Sequence, residues 1–194
     1  GTAAPVTADA LVELVELAIR RNVRGAAYLG ERLDDLLGVV RLQDRALLQL
    51  AQQGSVISHG DLDHKNVLWE TGGNALIIDW ESARHINPTY ETLLEALDWS
   101  GITAHFEVRP YERFLARYAA AGGMLCADSI PAAFSAILGA WLNWMMYNVG
   151  RAAGLEGLRQ RALGSEQVDL ALATLLRLEK QVPRLREIAL RHAG

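Results

Sequence analysis

Apolar residues recur at intervals of three and four near the start of the chain, which is the spacing of one face of an α-helix. This pattern predicts a helix over residues 8–21, with Thr7 as its N-cap. Two further helical patterns follow over residues 29–40 and 42–50, and Gly54 is placed to cap the second of them. The first quarter of the chain is therefore predicted to be helical.

The pattern changes to short β-type segments in the middle of the chain. Residues 66–70 and 75–80 contain β-branched and aromatic residues, and residues 71–74 between them have the composition of a turn. Two such segments joined by Gly72 and Gly73 predict a β-hairpin.

The remainder of the chain is again predicted to be helical. Helix starts are marked by Pro88, Pro110, Ser165 and Pro183, and a long apolar helix covers about residues 131–149. The sequence thus predicts an α+β chain that is mostly α-helical, with one small hairpin after the third helix. Residues 1–10 are predicted to form a loose tail and residues 11–194 a single domain.

Composition agrees with a packed globular chain. Hydrophobic residues make up 51% of the 194 residues and charged residues 22%, which excludes the disordered, collagen-like and disulfide-scaffold classes. The single cysteine, Cys126, excludes an intrachain disulfide and fits a reducing compartment. The first ten residues lack a basic and apolar leader, so a cytoplasmic protein is expected.

The charge balance and one uncharged run bear on the expected partners. A formal charge of −4 gives no net positive field, so neither nucleic acid nor an anionic membrane is expected as a partner. Residues 129–150 carry no charged side chain and are long enough to cross a bilayer. Ser135, Asn143 and Asn148 within this run favour a buried helix of a globular domain instead.

The polar residues that can support chemistry concentrate around the predicted hairpin. Asp61 and Asn66 lie five residues apart before the first strand, and Asp79 lies at the end of the second. In phosphoryl transfer, one carboxylate accepts the proton of the attacking hydroxyl, while an Asn and a second Asp hold magnesium ions that bridge the nucleotide phosphates. The kinase catalytic loop has the same spacing from Asp to Asn. These residues together favour a phosphotransferase site.

These motifs resemble those of the aminoglycoside phosphotransferase and choline kinase group, which are small-molecule kinases with a protein-kinase-like fold. The resemblance rests on His59-Gly60-Asp61, Asn66-Val67-Leu68 and Ile78-Asp79-Trp80-Glu81. It implies a protein-kinase-like C-terminal lobe whose hairpin carries the catalytic and metal residues. ATP and Mg²⁺ would be the cofactors, and a hydroxyl of a small molecule would accept the γ-phosphate.

The resemblance also implies roles for individual residues. Asp61 would be the catalytic base, His59 would brace its loop, and Asn66 and Asp79 would bind the metal and the nucleotide phosphates. The residues implied on the acceptor side are Glu81, Asp98, Asn143 and Trp144.

The nucleotide lobe of such kinases is missing from the sequence. No glycine-rich loop follows a strand, and no strand carries a lysine in a kinase-like context. The chain is therefore expected to be the catalytic and substrate lobe alone, with weak ATP binding by itself. The apolar surface left by the missing lobe favours self-association.

Two other functions remain open from the sequence. One is a non-catalytic, pseudokinase-like binding lobe. The other is a metal-dependent hydrolase, because His59, Asp61, Asp63 and His64 place four metal-capable side chains within six residues. The acceptor is open as well, since an aminoglycoside, a choline-like amine, a macrolide and a sugar are all compatible with the motifs.

Overall fold

The computed structural model describes residues 5–194, and most of these residues are helical. The helices in this range are α1 (Ala8–Arg20), α2 (Ala26–Glu31), α3 (Leu33–Gln52), α4 (Pro88–Asp98), α5 (Val108–Ala120), α6 (Ile130–Ala152) and α7 (Leu158–Arg191). The strands are β1 (Val56–Ser58), β2 (Val67–Trp69), β3 (Ala75–Ile77) and β4 (Arg84–Ile86). The prediction of a mostly helical chain with a small β component is confirmed.

The strands form two separate antiparallel pairs. β2 and β3 make the predicted hairpin, with Val67 opposite Ile77 and Trp69 opposite Ala75. β1 pairs with β4, a contact that the sequence did not predict. The two strands are three residues each and far apart in the chain, so no local turn signal links them.

By its internal contacts the chain divides into two compact units. The first consists of Ala46–Phe134 and Gln181–Gly194, and it contains all of the described strands together with α4 and α5. The second consists of Ser135–Lys180 and the described residues up to Arg45.

Among the described residues, α1 is the first helix of the second unit. α1 begins at Ala8, as the Thr7 cap predicted, and the Thr7 hydroxyl accepts the N–H of Ala10 at 3.2 Å. Residues 1–4 of the predicted tail lie outside the described residues, and its assignment at residues 8–10 is wrong, because the Thr7 cap starts α1 there.

An apolar cluster of buried side chains stabilises the second unit. Burial of each large apolar side chain in this cluster contributes about 1.5–3 kcal/mol. The cluster includes Leu11, Val15, Ala18, Leu142, Met145, Met146, Val149, Val168, Ala171 and Leu175.

The first unit places α4 beside residues 60–64, the loop that precedes the hairpin. α4 begins where the sequence predicted, with Pro88 in its first turn and the side chain of Asn87 accepting the N–H groups of Thr89 and Tyr90 at 3.0 and 3.1 Å. The fully buried apolar side chains of α4 and α5 include Leu93, Leu97, Tyr111 and Leu115. Unusually for a buried helix, α4 also buries two glutamates.

The predicted boundary between helices at residues 29–40 and 42–50 is wrong. α3 runs without a break from Leu33 to Gln52, and Gly38 lies inside it. A glycine in a helix interior costs about 1 kcal/mol. Burial of Leu36 and Val40 on either side of Gly38 outweighs that cost.

The predicted helix starts at Ser165 and Pro183 are also wrong, because α7 continues from Leu158 to Arg191 through both residues. Proline inside a helix costs about 3 kcal/mol, since it removes one backbone hydrogen bond. Buried Leu178, Leu185 and Ile188 flank Pro183 and together outweigh this cost.

The second strand of the hairpin is shorter than predicted. It ends at Ile77, because Asp79 adopts φ 64° and ψ 56°, a left-handed conformation that an extended strand cannot contain. The uncharged run at residues 129–150 lies almost entirely within α6. Within residues 5–194, no helix has the length and apolarity that a membrane span requires.

Candidate active site

The β2–β3 hairpin brings Asn66 next to the segment that carries Asp79. Asn66 immediately precedes β2, and its backbone carbonyl accepts the N–H of Ile78 at 3.0 Å. This bond extends the ladder of the hairpin by one step, so Asp79 follows directly after a residue bonded to Asn66. The hairpin therefore joins the two residues predicted as metal ligands, although they are 13 positions apart.

The side chains of Asp61 and Asn66 are in direct contact. Asn66 Nδ2 donates to the backbone carbonyl of Asp61 at 2.7 Å and to Asp61 Oδ2 at 3.2 Å. Asn66 is buried, whereas about half of the Asp61 side chain is exposed. The amide thus fixes the orientation of a carboxylate that solvent or a ligand can reach.

The oxygen atoms of Asn66 and Asp79 that remain available to a ligand at the hairpin suit a hard cation. The amide nitrogen of Asn66 faces Asp61, so its Oδ1 is the atom available to a cation. Asp79 is exposed, and its side chain makes no cap hydrogen bond. One amide oxygen and one carboxylate form the small oxygen set with which Mg²⁺ is bound together with substrate phosphates.

His59 connects the loop to the hairpin. It is buried, its Nδ1 accepts the N–H of Asp61 at 3.3 Å, and its Nε2 lies 2.8 Å from the carbonyl oxygen of Ile78. Because Nδ1 accepts, the ring proton is on Nε2, which donates to Ile78. The ring also packs edge-on against Trp80, with centroids 4.8 Å apart. These contacts are those of a bracing residue.

Three carboxylates of α4 hold the loop from its other side. They are spaced at i, i+4 and i+7 on one face of the helix, and they accept alternate backbone N–H groups of the loop. The bonds run from Gly60 N to Glu91 Oε1 at 2.9 Å, from Leu62 N to Glu95 Oε1 at 3.2 Å and from His64 N to Asp98 Oδ2 at 3.4 Å. The backbone on both sides of Asp61 is thereby anchored to α4.

Glu95 is the most buried acid of this set. Its side chain is 6% exposed, and its Oε2 is buried without a hydrogen-bond partner in the described part of the chain. Burial, reinforced by the nearby charges of Asp98 and Glu91, raises the pKa of Glu95 to about 8. Glu95 is therefore largely protonated at neutral pH while its Oε1 still accepts the Leu62 N–H.

Asp98, predicted on the acceptor side, contacts the loop instead. Its Oδ2 lies 3.0 Å from Nδ1 of His64, and hydrogen bonding and charge attraction to Asp98 raise the pKa of His64. Both side chains are at least partly exposed, so the pair is screened by water and contributes little to stability.

The four residues of the alternative metal cluster point to different partners. His59 bonds Ile78, His64 bonds Asp98, and Asp63 forms an ion pair with Lys65, whose ammonium is also 3.7 Å from Asp61 Oδ2. No group of three or more His, Cys, Asp or Glu side chains in the described range is arranged to hold a metal ion. The geometry of this loop does not favour the hydrolase alternative.

The other predicted acceptor residues are distributed over both units. Glu81 lies exposed in a short 3₁₀ turn after Asp79, in the first unit. Asn143 and Trp144 lie in the second unit. There, Asn143 bonds the Val6 N–H at 2.9 Å, and Trp144 packs against Tyr147.

Sequence reasoning missed Glu91 and Glu95 as residues of the site. Their signal was present, since Glu91 and Glu95 lie one helical turn apart in a helix that otherwise carries an apolar stripe of Leu93, Ala96 and Leu97. An acid in an otherwise buried helical stripe needs a polar partner, and a nearby loop supplies it through its backbone N–H groups.

Gly60 lies where the loop passes closest to β4, and we expect Gly60→Ala to lower the free energy of unfolding by about 2–4 kcal/mol. Gly60 has φ 77°, and a Cβ there would lie 2.5 Å from both Arg84 Nη1 and the Ser82 carbonyl oxygen. The matched control is Gly73→Ala, where φ is 83° and no atom lies within 4 Å of the added Cβ. Urea unfolding of both variants measures the difference, and equal losses would show that the close approach costs nothing.

Comparisons with known proteins relate the chain to phosphotransferases. None of the curated proteins matches it. A solved structure of ethanolamine kinase from Plasmodium vivax is similar over 89% of this chain, with 13% identity and a TM-score of 0.48. The chain spans 50% of that kinase. The model of the phosphotransferase enzyme family (APH) matches residues 8–134, which include the Asp61–Asn66 loop and Asp79. The resemblance inferred from these motifs is confirmed, and the chain belongs to the phosphotransferase enzyme family.

Proposed function

We propose that the chain is the catalytic and acceptor-binding lobe of a kinase that transfers the γ-phosphate of ATP to a hydroxyl of a small molecule. Family membership supports phosphotransfer in general. The observation that carries the assignment of the centre is the hydrogen bond from Asn66 Nδ2 to Asp61 Oδ2. It joins the proposed base to a proposed metal ligand within one rigidly held loop.

Asp61 is the base in this proposal. Its Oδ2 accepts from Asn66 and faces Lys65, which leaves Oδ1 for the hydroxyl of the acceptor. The hydroxyl oxygen forms a bond to the γ-phosphorus, and the bond from that phosphorus to the oxygen bridging the β- and γ-phosphates breaks. The hydroxyl proton passes to Asp61 Oδ1, and ADP and a phosphate ester are the products.

Asn66 Oδ1 and the Asp79 carboxylate would hold Mg²⁺ on the nucleotide side of the same loop. When bound with ATP, Mg²⁺ supplies positive charge that offsets the charge developing on the transferred phosphate. His59 keeps the two halves of this site in register, because it bonds both Asp61 N and the Ile78 carbonyl.

Exposed apolar side chains on both faces of the hairpin support the position of the nucleotide, with Leu68 and Leu76 on one face and Trp69 and Ile77 on the other. Leu68, Trp69, Leu76 and Ile77 are all exposed on β2 and β3, and Trp69 is 65% exposed. An apolar patch of this kind marks a surface that a ligand or partner covers. In this proposal, ATP and the nucleotide lobe of the whole protein cover it.

Asp79→Asn tests the metal side of the proposal. We expect the variant to bind ATP at least about tenfold more weakly in the presence of Mg²⁺, because it loses the charged ligand. Asn adopts the left-handed conformation of Asp79 readily, so the local fold is retained. Calorimetric titration with ATP, with and without Mg²⁺, measures the effect on the protein encoded by the complete reading frame that contains this chain.

Glu70→Gln is the matched control, because Glu70 is an exposed carboxylate in the turn of the same hairpin. It is expected to bind Mg²⁺–ATP as the unmodified protein does. Equal affinities for Asp79→Asn and Glu70→Gln, or ATP binding that does not depend on Mg²⁺, would contradict the assignment.

A further inference from the structure

A surface cavity of about 650 Å³, widely open to solvent, lies in the first unit next to the end of α4. Trp99, which follows α4, forms one part of its wall, and one face of α5 forms the other. The lining residues are Trp99, Pro110, Arg113, Phe114, Arg117 and Tyr118. This volume suits a small organic molecule.

The wall combines aromatic rings with two cationic side chains. Trp99, Phe114 and Tyr118 supply flat apolar surface, on which a planar ligand can stack. Arg113 and Arg117 are four residues apart on α5, so their guanidinium groups emerge from the same side of the helix. Guanidinium groups bind carboxylate and phosphate in a bidentate way.

The two arginines have no acidic partner in the part of the chain that the structure describes. Both are exposed, and neither side chain forms a hydrogen bond or an ion pair with a described residue. The glutamate that precedes Arg113 on the helix, Glu112, is paired with Arg191 at 2.9 Å. In a chain of net charge −4, two unpaired arginines on one side of a helix create a locally positive surface that attracts anions.

The cavity is connected to the catalytic loop through one side chain. The indole Nε1–H of Trp99 donates to the carbonyl oxygen of Leu62 at 3.1 Å, and Leu62 is the residue after Asp61. The Trp99 ring thus contacts the loop with one edge while it lines the cavity. A ligand in the cavity lies one side chain away from the loop that carries the proposed base.

We propose that this cavity binds the part of the acceptor remote from its reacting hydroxyl, and that this part carries a planar apolar group and an anionic group, a carboxylate or a phosphate. The planar group stacks on Trp99, Phe114 and Tyr118, and the anion is bound by Arg113 and Arg117. The proposal rests on the proposed function for the identity of the ligand as the acceptor. The binding site itself can be tested without phosphoryl transfer.

The test is a binding measurement with two probes that share one ring system and differ in charge, naphthalene-2-carboxylate and 2-naphthylmethylamine. Calorimetry on this chain is expected to show that the anion binds at least about tenfold more tightly than the cation, because each guanidinium–anion hydrogen bond is charge-assisted. The anion is also expected to shift the Trp99 indole signal in NMR spectra, which Trp99→Phe assigns among the five tryptophans.

Arg113→Gln/Arg117→Gln is expected to lower the affinity for naphthalene-2-carboxylate at least about tenfold. The matched control is Arg109→Gln/Arg184→Gln, which removes the same charge from two exposed arginines of the first unit that do not line the cavity. The control should bind the anion as the unmodified chain does. Equal loss in both double variants, tighter binding of the cation, or an unshifted Trp99 signal would overturn the proposal.

A second readout separates this proposal from the proposed function. With an anionic acceptor, Arg113→Gln/Arg117→Gln should raise the KM for the acceptor and leave the KM for ATP unchanged. If Asp61 variants abolish transfer while the arginine variant leaves acceptor KM unchanged, the cavity proposal fails and the kinase proposal stands. If the anion binds as expected but Asp61 variants transfer phosphate normally, the kinase centre fails and the anion site stands.

Discussion

Asp61→Ala is expected to lower kcat for phosphoryl transfer by about 10²–10⁴-fold, the usual contribution of a positioned general base. The KM for ATP should change little, because the proposed metal ligands Asn66 and Asp79 are untouched. Asn66 retains its shorter hydrogen bond, 2.7 Å to the backbone carbonyl of residue 61, so the loop keeps its conformation. Steady-state kinetics on the protein from the complete reading frame measure both constants.

Two further variants make this result interpretable. Asp61→Asn preserves the size of the side chain and removes the charge, so it should lose as much activity as Asp61→Ala. Glu70→Ala removes an exposed carboxylate at the far end of the hairpin and should leave kcat unchanged. A rate for Asp61→Ala within about threefold of the unmodified protein would refute the role of base, since a base contributes at least about a hundredfold.

Glu95→Gln is expected to make the protein more stable than the unmodified chain, by an amount that grows with pH. Burial raises the folded-state pKa of Glu95 to about 8, whereas an unfolded chain has a glutamate pKa of about 4.3. Between these two values the unfolded chain releases a proton that the folded chain retains, so stability falls as pH rises and the loss is complete above the folded pKa. Glutamine does not ionise, so this loss is absent from the variant.

The expected gain is about 1.4 kcal/mol per pH unit between about pH 5 and 7.5, with an upper bound of about 5 kcal/mol in total. Glutamine retains an oxygen that can accept the Leu62 N–H, so the anchor of the loop is kept. Urea unfolding of both proteins at several pH values measures the difference, in which the other titrating groups cancel. Glu70→Gln provides the comparison for a carboxylate that water solvates. A difference between Glu95→Gln and the unmodified protein that is flat with pH would show that Glu95 is ionised in the fold.

The contact of Asp61 with Asn66 and the hairpin that leads to Asp79 were predictable because these residues are close in sequence. The five-residue spacing from Asp61 to Asn66 fits one loop, and the hairpin that brings Asp79 to it has a glycine turn. The spacing of apolar residues and the composition of turns indicate such local geometry directly. The anchors on α4 were not predicted, because Glu91 and Glu95 meet the loop across about 30 residues of intervening chain.

The predicted helix boundaries were wrong where the burial of neighbouring side chains outweighs the local conformational preference of the sequence. Pro183 predicted the start of a helix and residue 41 a break between two helices, yet both positions lie inside long helices whose neighbouring residues are buried. β4 was missed for a related reason, since three residues pairing with distant β1 leave no periodic pattern. The fold class, in contrast, depends on many helical segments together, so single boundary errors did not alter it.

Phosphorus NMR of the protein from the complete reading frame, incubated with Mg²⁺–ATP and a panel of hydroxyl-bearing small molecules, tests the central proposal most directly. The panel should contain cationic, neutral and anionic aromatic acceptors. We expect ADP and a new phosphate-ester signal with at least one acceptor, and we expect both signals to disappear in Asp61→Asn. Intact ATP with every class of acceptor, or an ester that forms equally well in Asp61→Asn, would contradict the proposal that this loop is a phosphoryl-transfer centre.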